Sequence, residues 1–205
     1  MRVRSLPFSV AAWVFVGFAL PALPTFGSPA STSATSPDYR LAPWPRTADA
    51  PDFNLVDVAG HKRTLADYRG RVVVTLFGFV RCPDACPTEL ISLALAMKRL
   101  GAASEGVKVI FITLDPQHDT RTVLKNYVTG FDPRFIGLTG TSARVDQAAA
   151  HFHVEYARVA AGADYTIDHS TSIFVLDRRG RLRLVGTPST SAADFAHDLA
   201  VLAME

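Results

Sequence analysis

Cys82 and Cys86 are the only thiols in this chain of 205 residues, and three residues, Pro83-Asp84-Ala85, separate them. Such a pair can close a disulfide, exchange with a partner's disulfide, or offer two soft ligands to Cu(I) or zinc. The pair falls where the apolar run Val72–Phe79 stops and a helical pattern begins. A helix N-terminus favours thiolate through its free N–H groups and its dipole. Residues four apart share one helical face, so the two sulfurs can approach each other. Pro83 cannot extend a helical ladder and stiffens the turn between them. In an oxidising compartment two lone thiols default to a disulfide, and the spacing alone leaves all three readings open.

A metal would need a further ligand, most often histidine. The candidates are His61, His118, His151, His153, His169 and His197. His61 sits in a turn and His197 on the polar part of the last helix, so both are expected to be solvated. His151 and His153 bracket a helix-to-strand junction. His169 lies just before an apolar strand, and loops at the ends of buried strands converge on shared clefts. By itself it is still an ordinary hydrogen-bonded histidine.

The elements that must position these groups alternate between strand and helix. A short strand and turn cover Phe53–Lys62, and Thr64–Tyr68 is a brief helical turn. Arg71–Phe79 is apolar on both faces and therefore a buried central strand. Pro87 opens a helix to about Leu100, where Leu90, Leu93, Met97 and Leu100 form a stripe and Gly101 ends it. Val107–Leu114 is a second buried strand, and Asp119 or Thr120 caps the helix that follows. Phe135–Leu138 is a short strand, and a helix runs from Thr141 or Ser142 to about His151. Then come a strand at Val154–Val159, a loop at Asp164–Ser170, strands at Thr171–Leu176 and Leu182–Val185, and a last helix at Ala192–Met204. This order predicts an α/β fold with a mixed sheet. The arginines Arg178, Arg179, Arg181 and Arg183 read as a solvated hairpin, with docking to an acidic partner or lipid surface as the alternative.

Upstream, Arg2 and Arg4 precede the apolar run Phe8–Leu20, and no charge appears between Arg4 and Asp38. This is the pattern of an export signal, with Ser28-Pro29-Ala30 as a cleavage site. An uncleaved anchor is the competing expectation, although Pro21 shortens the run below the roughly 20 residues of a spanning helix. Residues 1–30 are thus expected to be a signal peptide or anchor, 31–50 a flexible tether rich in Ser, Thr, Pro and Ala, and 51–205 the folded domain. The domain would be exported to the periplasm, soluble or tethered to the inner membrane. The formal charge of +2 resides in the leader, so the body is near neutral and lacks the footprint of a nucleic-acid binder.

Phe77–Leu90, read as a block, closely resembles the cysteine motif of the Sco/SenC family of copper-binding, thioredoxin-like proteins that help assemble cytochrome c oxidase. Two further blocks match in order: Asp115–Thr120 with Phe131–Leu138, and Asp164–Ser172. The resemblance covers roughly Pro51–Glu205. It implies a thioredoxin-like fold, a mixed central sheet flanked by helices with an N-terminal β-hairpin extension. It also implies that Cys82, Cys86 and His169 ligate one copper ion, as Cu(I) or Cu(II). Asp115 and Asp119 fall in the family's Asp-Pro loop, in a supporting or partner-docking role. Asp168, if the segment is extended, points away from the His169 face. Val80-Arg81 departs from many relatives, which carry Thr and another polar residue there, and would alter the electrostatics of the site's mouth.

The function implied is that of a monomeric metallochaperone, not an enzyme, which delivers copper to the dinuclear site of the copper-accepting oxidase subunit. The alternative is a thiol–disulfide oxidoreductase that uses the Cys82/Cys86 pair to keep the recipient's cysteines reduced. A general thioredoxin-type enzyme is disfavoured, because its redox motif has two intervening residues and no proline directly precedes Thr171–Leu176. A peroxiredoxin is disfavoured by Phe79, which stands where that family carries Thr or Ser.

Overall fold

The computed structural model describes residues 38–45, 51–162 and 164–205; the leader expected over residues 1–30 lies outside them. In chain order the elements are β1 (Ala42–Pro43), β2 (Asn54–Asp57), β3 (Lys62–Thr64), β4 (Val72–Gly78), α1 (Ala85–Leu100), β5 (Val107–Thr113), α2 (Arg121–Phe131), β6 (Ile136–Thr139), α3 (Ser142–His151), β7 (Tyr156–Ala161), β8 (Asp164–His169), β9 (Ile173–Leu176), β10 (Leu182–Gly186) and α4 (Ala192–Met204). Short 3-10 turns occupy Leu65–Tyr68 and Gly101–Gly106. Among the described residues no helix is long and apolar enough to cross a membrane.

Eight strands form one mixed sheet in the order β1-β10-β9-β4-β5-β6-β2-β3. β4, β5 and β6 are parallel, while β9 runs antiparallel to β4. Every residue of β4 is buried, and its alternation divides the core. Val72, Val74 and Leu76 face α1, α2 and α4 through Leu90, Leu93, Leu124, Val128, Phe195 and Leu199. Val73 and Phe77 face α3 and its surroundings through Val145, Ala148 and Phe152. The fold is therefore the expected thioredoxin-like sandwich, and β2 and β3 supply its N-terminal hairpin.

This topology fixes where chemistry can converge. The turn after β4 and the loop after β5 emerge at the carboxyl ends of parallel strands, where open α/β sheets place their ligands. Because β9 is antiparallel, with Ile173 opposite Leu76, the chain entering β9 lies at that same end. Cys82, Asp115 and His169 are thus brought to one pole of the sheet.

Several expectations are corrected. α1 begins at Ala85, ahead of Pro87. A proline is tolerated in a first turn, where backbone N–H groups have no helical partner anyway. The caps, by contrast, fall within expectation: of the pairs offered, Thr120 caps α2 and Thr141 caps α3, each through its hydroxyl. Asp164–Ser170, expected as a loop, is mostly strand: β8 pairs with β7 from Ala161↔Asp164 to Tyr156↔His169. Its apolar signal is weak because only Ile167 is buried. Part of the expected tether is structural. Ala42–Pro43 pair with Val185 and Leu184 of β10, and Leu41 is in the core. The Asp198 carboxylate of α4 accepts the Arg40 and Leu41 N–H groups at 2.7–3.0 Å. Two strand residues, one of them proline, carry too little pattern to be read in advance.

Candidate metal centre

β4 ends at Gly78, and the chain turns through a hydrogen bond from Cys82 N–H to Phe79 O at 3.1 Å. Asp84 occupies the N-cap of α1, but its side chain makes no capping bond. The Cys82 sulfur instead accepts the Cys86 N–H at 3.5 Å, so the helix N-terminus is satisfied by a thiol. Cys86 is fully buried, and Gly78 is what lets it lie so close to β4. A Cβ at Gly78 would sit 2.5 Å from the Cys86 sulfur and 3.1 Å from the Phe111 ring.

The two thiols are driven apart. Cys82 is pulled well below the ordinary thiol range, first by the hydrogen bond from the Cys86 thiol, then by His169 and by backbone N–H groups, against the opposing effect of burial. Cys86 is pushed up, first by that same hydrogen bond and then by burial. Cys82 is therefore the thiolate of the pair, and it is also the more exposed of the two.

His169, the last residue of β8, faces them. Its Nδ1 lies 2.9 Å from Ser170 O. A carbonyl can only accept, so Nδ1 carries a proton, and Nε2 faces the sulfurs, donating to a thiolate when protonated and offering its lone pair when not. Nε2 lies 3.9 Å from the Cys86 sulfur. The ring meets Phe79 edge-on at 6.1 Å between centroids. Burial depresses the imidazole's proton affinity, but its bond to Cys82, the Ser170 carbonyl and the charges of Cys82 and Glu89 outweigh that and raise it.

The three donor atoms all lie within 4.8 Å of one another, and they form the only such cluster among the described residues. Donors bound about 2.0–2.3 Å from a common ion stand roughly 3.5–4.5 Å apart, depending on geometry. The arrangement fits a single soft ion with two sulfur ligands and one nitrogen. Both cysteines are free thiols. Asp168 points to solvent, as the strand alternation requires.

The other histidines stay out of the centre. His61 is exposed beside Asp57, His197 contacts its neighbour Asp198, and His151 contacts Asp52 O. His153 takes a left-handed φ of 55° at the end of α3 and stacks on Trp44.

Asp115 and Asp119 are both buried. Asp119 accepts Val80 N–H at 3.0 Å and the Thr113 hydroxyl at 2.6 Å, which ties the cysteine turn to the end of β5. This use of its carboxylate explains why Thr120, and not Asp119, caps α2. Asp115 accepts the Tyr165 hydroxyl at 2.7 Å, and Arg81 and His118 also bond it. Sequence reasoning did not single out Tyr165 or Glu89. Glu89 follows Cys86 by one helical turn and is buried, with one carboxyl oxygen lacking a hydrogen-bond partner. Burial pushes its carboxyl up to about 7, and the Cys82 charge adds to that against the attraction of His169. A buried acid amid an apolar helical stripe was the available signal.

The fold and the convergence of two sulfurs and one imidazole nitrogen at the carboxyl end of its parallel strands define a thioredoxin-like domain with a candidate soft-metal site. The SCO1/SenC family model matches residues 44–204. The chain belongs to that family. It is 40% identical over 136 residues to a mitochondrial SCO2 homologue of Mus musculus, covering 63% of this chain and 52% of that protein. The chain spans about half the length of the mouse, bovine and human relatives it matches. Among solved structures, it resembles Bradyrhizobium japonicum ScoI with copper bound, with a TM-score of 0.71 and 32% identity over 76% of this chain and 99% of that one. It also resembles apo Sco1 of Thermus thermophilus, with a TM-score of 0.73 and 34% identity over 80% of this chain and 96% of that one. A more distant fold match, BsSco, is described as a member of the Sco family of cytochrome c oxidase assembly proteins.

Proposed function

We propose that this protein binds one copper ion through Cys82, Cys86 and His169 and passes it to the copper-accepting subunit of cytochrome c oxidase. The observation that carries this reading is the mutual approach of the three donors within 4.8 Å. The copper-bound state of the Bradyrhizobium relative and the family's description as oxidase assembly proteins support it. Two thiolates and an imidazole suit Cu(I), and a three-ligand set leaves room for an acceptor's ligand. Export, with the leader as signal or anchor, would place the site where such an acceptor is reached.

The asymmetry of the thiols favours a second reading, reduction of the recipient. The half-buried Cys82 thiolate, the more accessible of the two, attacks an acceptor disulfide and releases one acceptor thiolate. Cys86 then gives up its proton and attacks Cys82, which leaves a Cys82–Cys86 disulfide and an acceptor dithiol.

Replacing His169 with Ala tests the site. Outer-shell changes alone cost metal affinity about 10–100-fold, so losing a ligand should cost the reduced protein more than that in a Cu(I) competition titration, with far-UV circular dichroism unchanged. Unchanged affinity would sink the site. Incubating the copper-loaded or the metal-free reduced protein with the oxidase domain separates the two roles. Metal on the acceptor supports delivery, and acceptor thiols without metal support reduction.

A further inference from the structure

His169 rides on a strand that the main sheet does not hold. β7 and β8 pair only with each other, so the third donor sits on a satellite hairpin while Cys86 is built into the core and Cys82 packs half-buried against it. At its base the hairpin is closed by Ser170 N–H to Glu155 O at 3.0 Å and Glu155 N–H to Ser170 Oγ at 3.1 Å. Along β8, residues two apart share a face, which puts Tyr165, Ile167 and His169 on one side. Ile167 is buried in the core, and His169 meets the sulfurs.

Tyr156 of β7 bonds Asp146 of α3, and Tyr165 pins the hairpin on the side of the metal centre. Its hydroxyl donates to Asp115 Oδ1 at 2.7 Å, and Asp115 is fully buried. Arg81, next to Cys82 in the cysteine turn, closes over this contact. Its guanidinium pairs with Asp164 and reaches Asp115 Oδ2 at 3.4 Å. Arg81 and Arg158 lie over the Tyr165 ring at 5.4 and 5.2 Å. The same loop after β5 holds the cysteine turn through Asp119 and Val80 N–H. A single rigid loop thus sets the position of both halves of the centre.

We propose that Tyr165 and Asp115 are positioning residues for the metal, their hydrogen bond, covered by the Arg81–Asp164 pair, being what keeps β8 in place and His169 Nε2 in register with the two sulfurs. Neither residue touches the ion; they act through His169. The inference rests on the copper-binding reading for its second readout only. It also gives Arg81 a structural task in this chain.

Tyr165→Phe is the test, since it keeps the ring under both arginines and removes only the hydroxyl. In the metal-free reduced protein, hydrogen–deuterium exchange of the β7–β8 amides should speed up about tenfold or more, with β4 and β5 unchanged. In Cu(I) competition, Tyr165→Phe should lose about tenfold in affinity, the lower end for an outer-shell group. In a double-mutant cycle it should lose nothing further once His169 is Ala. An unchanged exchange pattern overturns the proposal. So does an equal affinity loss with and without His169, which would mean that Tyr165 acts on the fold and not on the ligand. If the wild-type protein fails to hold copper, the copper reading falls, and the exchange experiment still decides whether Tyr165 pins the hairpin.

Discussion

Glu89 is the group whose replacement most directly tests the electrostatics of this pole. It is 1% exposed, one of its oxygens has no hydrogen-bond partner, and burial moves its carboxyl from 4.5 to about 7. At about 1.4 kcal/mol per tenfold change in proton affinity, that displacement corresponds to about 3 kcal/mol. The sign follows from proton counts. Between 4.5 and about 7 the folded protein keeps a proton that the unfolded chain has released. Stability contributed by that proton is fully present below the lower value, falls as pH rises, and is gone above the upper one. Glu89→Gln removes this dependence. Urea unfolding of the metal-free reduced protein should therefore show the variant gaining about 3 kcal/mol on the wild type as pH rises from about 4 to about 8. The slope is the diagnostic, because a buried amide brings unpaired N–H groups of its own and shifts both ends of the curve alike. A difference between the two proteins that does not change with pH would refute the assignment of Glu89 as a buried, late-titrating acid.

Two further outcomes follow from packing. Gly78→Ala should destabilise the domain by about 1–3 kcal/mol by overpacking, since the new Cβ meets the Cys86 sulfur at 2.5 Å. Cu(I) affinity should fall with it, and retention of both stability and affinity would show that the cysteine turn is not pressed on β4. Asp198→Ala should cost about 2 kcal/mol, the worth of hydrogen bonds to a charged acceptor, because the carboxylate holds Arg40 and Leu41 N–H on α4. Limited proteolysis should then cut near residues 39–44, and a protease pattern like the wild type's would refute the clamp.

What the sequence made legible was whatever is carried by strong periodicity or by contiguous blocks. β4 and β5 are nearly continuous apolar runs, interrupted by Thr75 in β4 and by Lys108 and Thr113 in β5, because both their faces are covered, and α4 matches its expected bounds at Ala192–Met204. The cysteine pair could be placed at a strand–helix junction from local pattern alone. His169 could not. Its place just before an apolar strand is a weak local mark among six histidines, and only resemblance, or the antiparallel turn of β9 onto β4, brings it to the sulfurs. β1 and β8 escaped for the opposite reason to β4. Each buries little, so neither has the apolar alternation that marks a strand.

The supporting groups were less visible still, because their roles depend on contacts across long stretches of chain. Asp119 reads as a helix cap until Val80 N–H is found on its carboxylate, and Tyr165 reads as an ordinary loop aromatic until Asp115 is found beneath its hydroxyl. These contacts also rank the three candidate donors by how firmly each is held. Cys86 is locked between α1 and Gly78 in the core, where any movement meets close packing. Cys82 lies in a turn that is tied down by one carboxylate. His169 is held by a hairpin that has no strand pairing to the main sheet. On the copper-delivery reading proposed above, an incoming ligand would meet least resistance on the side of His169 and Cys82, the less buried of the two cysteines.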